Sequence, residues 1–178
     1  MLPVPEPLLS DGVVTLRPPR EDDLVAIERG LVDPDVIRSF GRPQLTAEGL
    51  LDLNRRRWDE DVSATFAICD STDACVGHVW VNLGDARRGS VGYWLLPEAR
   101  GRGLATRAVR LVSGWALREL ALSRLGLSTE PWNVRSQRVA ERTGFRQKGI
   151  LRSYAEIDGR RVDYVSYSLL PTDINDDG

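Results

Sequence analysis

Between residues 90 and 120 the apolar period of the chain changes from two to about 3.6, and it does so across one glycine-rich turn, Arg100-Gly101-Arg102-Gly103. Residues 90–96 read as a strand. After the turn, Leu104, Ala108, Leu111, Val112, Trp115 and Ala116 recur at three- and four-residue spacing, which predicts a helix over about 103–120 with one broad buried stripe. A turn of this kind exposes backbone amides at a helix N-terminus, where several N–H groups lack partners and the macrodipole favours negative charge. Gly101 and Gly103 leave that backbone unobstructed, Arg100 and Arg102 add attraction for a polyanion, and Thr106 offers a hydroxyl in the first turn.

Around this segment, Gly, Pro and Asp clusters divide the chain into short elements without repeats or long linkers. Residues 13–17 read as a first strand, 22–29 as a short helix and 46–58 as a second helix. Three strands follow at 65–69, 76–83 and 90–96, with turns at 71–73 and 84–89, forming an antiparallel meander. Beyond the long helix come a strand at 125–129, a helix capped by Asn133 and ending at Gly144, and two strands flanking Asp158-Gly159. The class is α+β, a mostly antiparallel sheet with helices packed on it. The 178 residues make one domain, with 172–178 as a frayed acidic tail.

The charge balance limits the function classes. With 24 Lys and Arg against 26 Asp and Glu, the net charge of −2 argues against nucleic acid as the main partner. The runs Asn54-Arg55-Arg56-Arg57 and Arg87-Arg88 read as solvated faces. No stretch of about 18 apolar residues predicts a membrane span, and the first twelve residues lack the pattern of a signal peptide, so the chain reads as cytoplasmic. Cys69 and Cys75 then stay thiols, and a single His with no paired-cysteine motif predicts no metal site. His78, beside Val79 and Trp80 in a strand, reads as a packed histidine. The aromatic residues Trp80, Tyr93, Trp94, Trp115 and Trp132 read mostly as core.

The glycine turn taken alone is compatible with a plain tight connection. A triphosphate-binding loop needs a Lys after the second glycine, and none follows. A dinucleotide fingerprint is closer, with Glu119 further on, but its third glycine position holds Thr106 and the preceding strand belongs to a meander. The pattern Arg100-x-x-Gly103-x-Ala105 resembles the acetyl-CoA signature of the GNAT superfamily of N-acetyltransferases. Asn133-Val134-Arg135-Ser136 and Glu141-Arg142-Thr143-Gly144-Phe145 resemble its later motifs, and Leu16-Arg17-Pro18 fits its beginning. Within the superfamily the chain most resembles the RimJ and RimL type of ribosomal-protein N-terminal acetyltransferases.

The resemblance implies a three-layer fold with about seven strands, about four helices and a splayed parallel pair formed by 90–96 and 125–129. It implies that amides of Gly101, Arg102, Gly103, Leu104, Ala105 and Thr106 cradle the pyrophosphate of acetyl-CoA. Backbone groups near Trp94 and Leu95 would pair with pantetheine, and an N–H near Leu95 would hold the oxyanion. Asn133 has two compatible readings, a helix cap and a pantetheine contact. Ser136 is the candidate acid for the departing thiolate. Glu130 and Glu156 are the candidate bases, each with the alternative of a solvated charge; Glu156 stands one position from where the family group places a catalytic Glu, and one step reverses a strand side chain. The acceptor is a primary amine, either a protein N-terminus or a small molecule such as a polyamine or antibiotic, with residues 37–50 and the hairpin around Asp158 on the amine side. A CoA-binding sensor without turnover and a nicotinamide-dependent oxidoreductase are the competing readings, and a homodimer stays open.

Overall fold

A computed structural model describes residues 1–174. In chain order the elements are β1 (Leu9–Ser10), β2 (Thr15–Arg17), α1 (Leu24–Leu31), α2 (Pro34–Phe40), α3 (Ala47–Asp59), β3 (Ser63–Cys69), β4 (Cys75–Gly84), β5 (Arg88–Leu95), α4 (Leu104–Arg118), β6 (Arg124–Thr129), α5 (Val134–Arg142), β7 (Arg146–Ile157) and β8 (Arg160–Leu169). All eight strands join one sheet in the order β1-β2-β3-β4-β5-β6-β8-β7. The expected seven strands and four helices are each exceeded by one. The additions are β1, two residues long, and α2, which starts with Pro34 behind an Asp33 cap and buries none of its side chains.

The meander forms as expected, since β3, β4 and β5 pair antiparallel in sequence. Asp70 closes the first turn by accepting the amides of Thr72 and Ala74. The second turn is tighter than the sequence suggests. Ala86 and Arg87 both take positive φ, the handedness a short hairpin turn requires, and pairing continues out to Gly84 and Arg88.

Strand alternation sends β3 side chains to two helix layers. Phe66 meets Trp115 of α4 and Trp58 edge-on at 5.3 and 5.0 Å, inside a core that also holds Leu16, Val79, Val81, Val109 and Val112. On the other face Thr65 bonds Asn54 of α3, and Ile27, Ala47 and Leu51 join α1 to α3. Arg17 binds Asp23 through two 2.8 Å hydrogen bonds and Asp73 through a third, tying β2 to the start of α1 and to the β3–β4 turn. Asp23 belongs to a 3-10 turn, Glu21–Asp23, so the first α-helix starts two residues later than predicted.

The strands that frame the site are β5 and β6. They run parallel and pair at only three positions, Arg88 with Arg124, Gly89 with Leu125 and Ser90 with Gly126. Past that point each is held by its outer neighbour, β5 by β4 as far as Leu95 and β6 by β8 as far as Thr129. The two strands therefore part. The expected acidic tail begins in a 3-10 turn, Pro171–Asp173, where Asp173 accepts the Leu170 amide and pairs with Arg146 at 2.6 Å; residues 175–178 lie outside the described residues. No helix among the described residues is long and apolar enough to cross a membrane.

Candidate active site

The parting of β5 and β6 opens a cleft of about 770 Å³, walled by both strands, the glycine turn with the first turn of α4, one side of α5, and part of α2. Which backbone groups face it follows from alternation. The Leu96 amide donates to Val76 of β4, so the polar groups of Tyr93 and Leu95 point the other way, toward the gap. An edge of this kind is a template for an extended ligand.

At one end lies the glycine turn. Gly103 caps α4 in the left-handed region with φ +77°, and Gly101 has φ +74°. A Cβ on either would meet no atom within 4 Å, so both face open space at the positive end of a 15-residue helix. Gly101, Leu104, Ala105 and Thr106 all border the cleft. The two flanking arginines divide. Arg100, expected to attract a polyanion, is neutralised by Asp33 at 2.6 Å and Asp35 at 2.9 Å, while its Nε donates to the Leu95 carbonyl. Its work is to fasten the turn to β5 and to the α1–α2 corner.

Tyr93 and Trp94 leave β5 on opposite faces. Trp94 goes away from α5, 5.0 Å from the buried His78 ring and against Gly30 of α1. Burial pushes His78 down to about 4, which keeps it neutral and packed. The Trp94 carbonyl and amide face β4 by the same alternation, so the chain offers the cleft Leu95 and Tyr93 instead. Tyr93 reaches α5, where its hydroxyl donates to Ser136 Oγ at 3.1 Å. Burial pushes the Tyr93 phenol up and so preserves the proton it donates. Asn133 caps α5 by accepting the Ser136 amide at 3.1 Å.

At the opposite end is Glu130, directly after β6. It is 4 % exposed, borders the cleft, and its Oε1 has no hydrogen-bond partner. Burial raises its pKa above the ordinary carboxylate range, with Arg38 and Arg160 pulling weakly the other way. Glu156 differs in every respect. It is exposed near the β7–β8 turn, 4.0 Å from Arg161, and takes no part in the cleft wall. The loop after α2 meets that hairpin where the Arg42 amide donates to Asp158 Oδ1 at 3.1 Å. Phe40 of α2 and Tyr164 of β8 line the same end, and Trp132 borders it 41 % exposed, with Arg38 stacked 3.6 Å over its ring.

Residues 14–146 match the family model described as an acetyltransferase (GNAT) domain, three quarters of the chain. The chain is a member of the GNAT family. It is 33% identical over 123 residues to the probable N-acetyltransferase YjcK of Bacillus subtilis, covering 67% of this chain and 68% of that one. It is also 37% identical over 84 residues to the putative ribosomal N-acetyltransferase YdaF of the same organism, though this match spans only 47% of this chain and 46% of the relative. Among solved structures, Mycobacterium smegmatis RimJ in complex with CoA-disulfide superposes with a TM-score of 0.82 at 23% identity, covering 92% of this chain and 84% of that one.

In this GNAT protein, then, Trp94, Leu95, Arg100, Gly101, Gly103 to Thr106, Glu130, Asn133 and Ser136 of the expected set border one cleft, the Arg100 guanidinium being held by Asp33 and Asp35 and the Trp94 ring lying against Gly30, whereas Arg102 and Glu156 are not in its wall. Sequence reasoning missed Tyr93. Its strand position was visible, but its partner lies 43 residues away on an element whose orientation only the fold supplies. Cys69 and Cys75 face each other across the β3–β4 ladder as free thiols, raised by burial to about 12 and about 11, and neither borders the cleft.

Proposed function

We propose that this protein transfers the acetyl group of acetyl-CoA directly to a primary amine, with Glu130 as base and Ser136 as acid. One observation carries the reading: the gap between the parted strands is bordered both by a helix N-terminus suited to phosphates and by a buried carboxylate with an unpartnered oxygen. Acetyl-CoA, the donor of GNAT enzymes, would lay its pyrophosphate on the amides from Gly101 to Thr106 and its pantetheine along the free edge of β5. The Asn133 side chain uses its carbonyl oxygen for the helix cap, so any pantetheine contact falls to its amide nitrogen.

The amine must lose a proton, since an ammonium has no lone pair to attack with. Glu130, its basicity raised by burial, takes that proton directly or through water, passes it to solvent, and takes the second proton that the nitrogen releases once it has bonded to the thioester carbon. The Leu95 amide, facing the gap, holds the resulting oxyanion. The carbon–sulfur bond then breaks, and the thiolate takes a proton from Ser136. Because Ser136 Oγ already accepts from Tyr93, its own proton is free to turn into the cleft; Tyr93 replaces it and is reprotonated from solvent as CoA leaves.

A protein N-terminus is the proposed acceptor, supported by the ribosomal acetyltransferase among the relatives and by an acceptor end walled by separate α2 and hairpin segments. The test is to incubate the protein with acetyl-CoA and either N-terminally free peptides, spermidine or an aminoglycoside, following thiol release and product mass. Acetylated peptide N-termini are expected. Preference for spermidine or the aminoglycoside would overturn the acceptor, and CoA binding with no transfer to any amine would overturn catalysis.

A further inference from the structure

Arg135, Arg138 and Arg142 occupy positions i, i+3 and i+7 of α5 and all three border the cleft. Among the described residues none of them has an ion-pair partner, whereas Arg100 and Arg107 nearby are each held by aspartates. Like charges one turn apart on a helix repel and destabilise it slightly. Arg142 in the last turn suits the helix dipole, but Arg135 and Arg138 have no such role in the fold, and a row of unpaired guanidinium groups along a cleft points to an anionic ligand.

Its place identifies the ligand's chemistry. Arg142 lies six residues beyond Ser136, about 9 Å along the helix axis. Its carbonyl accepts from Arg110 of α4 at 3.0 Å, so the row leads from the reacting end back alongside the helix whose N-terminus the glycine turn caps. That turn offers backbone amides and a dipole for a diphosphate, with Arg102 its one flanking arginine outside an ion pair among the described residues. CoA carries a further phosphomonoester dianion on its ribose, and guanidinium groups bind such oxygens in bidentate pairs.

We propose that Arg138 and Arg142, supported by Arg135, form a second anion site that binds the 3′-phosphate of CoA and makes the protein discriminate against 3′-dephospho-CoA. The proposal rests on the reading of the cleft as an acetyl-CoA site. Calorimetric titration of the intact protein with CoA and with 3′-dephospho-CoA tests both. CoA is expected to bind at least about tenfold more tightly, the effect of one charge-assisted pair. In the Arg138→Ala, Arg142→Ala double variant the two ligands converge on the dephospho-CoA affinity, while Arg56→Ala on α3, in the other helix layer, keeps the ratio. Equal affinities in the unmodified protein, or a ratio that survives the double variant, overturns the second site and leaves the acetyl-CoA reading standing. Failure of both ligands to bind the unmodified protein removes the acetyl-CoA reading and the second site together. The comparison within the unmodified protein needs no variant, so a poorly folded double variant does not protect the proposal.

Discussion

The two ends of the cleft are built in different ways. The proposed donor end is made of backbone: amides at the start of α4, the free edge of β5, and two glycines in the left-handed region, all within fifteen residues of chain. The proposed acceptor end is made of side chains brought together from three distant segments, with Phe40 on α2, Glu130 after β6 and Tyr164 on β8, while Asp158 of the last hairpin holds the loop after α2. A diphosphate and an amide-bearing chain look the same in every reaction of this kind, and main-chain geometry is enough to hold them. An amine has no such constancy, and its site is left to residues that can vary without disturbing the fold.

The largest test of this contrast falls on Glu130. Glu130→Gln keeps the shape and removes the proposed base, so turnover should drop by about 10²–10⁴, the usual worth of general base catalysis, with CoA affinity unchanged in a titration. Because burial raises the Glu130 pKa, the acid limb of the rate profile should lie above the ordinary carboxylate range. The sign for stability is opposite to that of a paired carboxylate. The native state favours the protonated form, so stability is lost as pH rises through the raised pKa, and the Gln variant should melt higher at pH 8 and equally at pH 4.

Next in size is Gly103→Val, which forces a branched side chain into φ +77° and sets it where phosphate oxygens would approach. CoA affinity should fall by roughly two orders of magnitude, the loss of one or two charge-assisted hydrogen bonds. Unchanged affinity would break the donor-end account. Ser136→Ala should lower turnover about tenfold and leave CoA affinity intact, the mild effect expected when water can protonate a thiolate, whose conjugate acid titrates near 8.5. Asp158→Ala should act least, raising KM for the amine by a few-fold through a loosened α2 loop and leaving donor binding alone, about what one hydrogen bond contributes.

The same division explains what the sequence disclosed. The strand, turn and helix from 88 to 118 were legible because period, glycine and helix start all lie in one stretch. The parting of β5 from β6 was legible only through family resemblance, since nothing in residues 90–96 or 125–129 states where pairing must stop. The pairing of Arg100 was not legible because its partners, Asp33 and Asp35, are 65 and more residues away, and charge near a phosphate turn looks alike whether free or paired. The short α2 escaped because it buries nothing and so has no apolar stripe, although Asp33-Pro34 is a good cap-and-start pair. Sequence left both Glu130 and Glu156 as candidates, and the structure separates them by burial, 4 % exposed against an exposed strand position, and by the cleft, which only Glu130 borders.

The central claim is that the free edge of β5 receives the donor. Hydrogen exchange of the backbone amides with and without saturating acetyl-CoA tests it most directly. The account predicts new protection at Leu95 and Tyr93, and at 103–106, with no change at the β3–β4 turn around Asp70. Saturable binding that leaves the Tyr93 and Leu95 amides exchanging as before would contradict it.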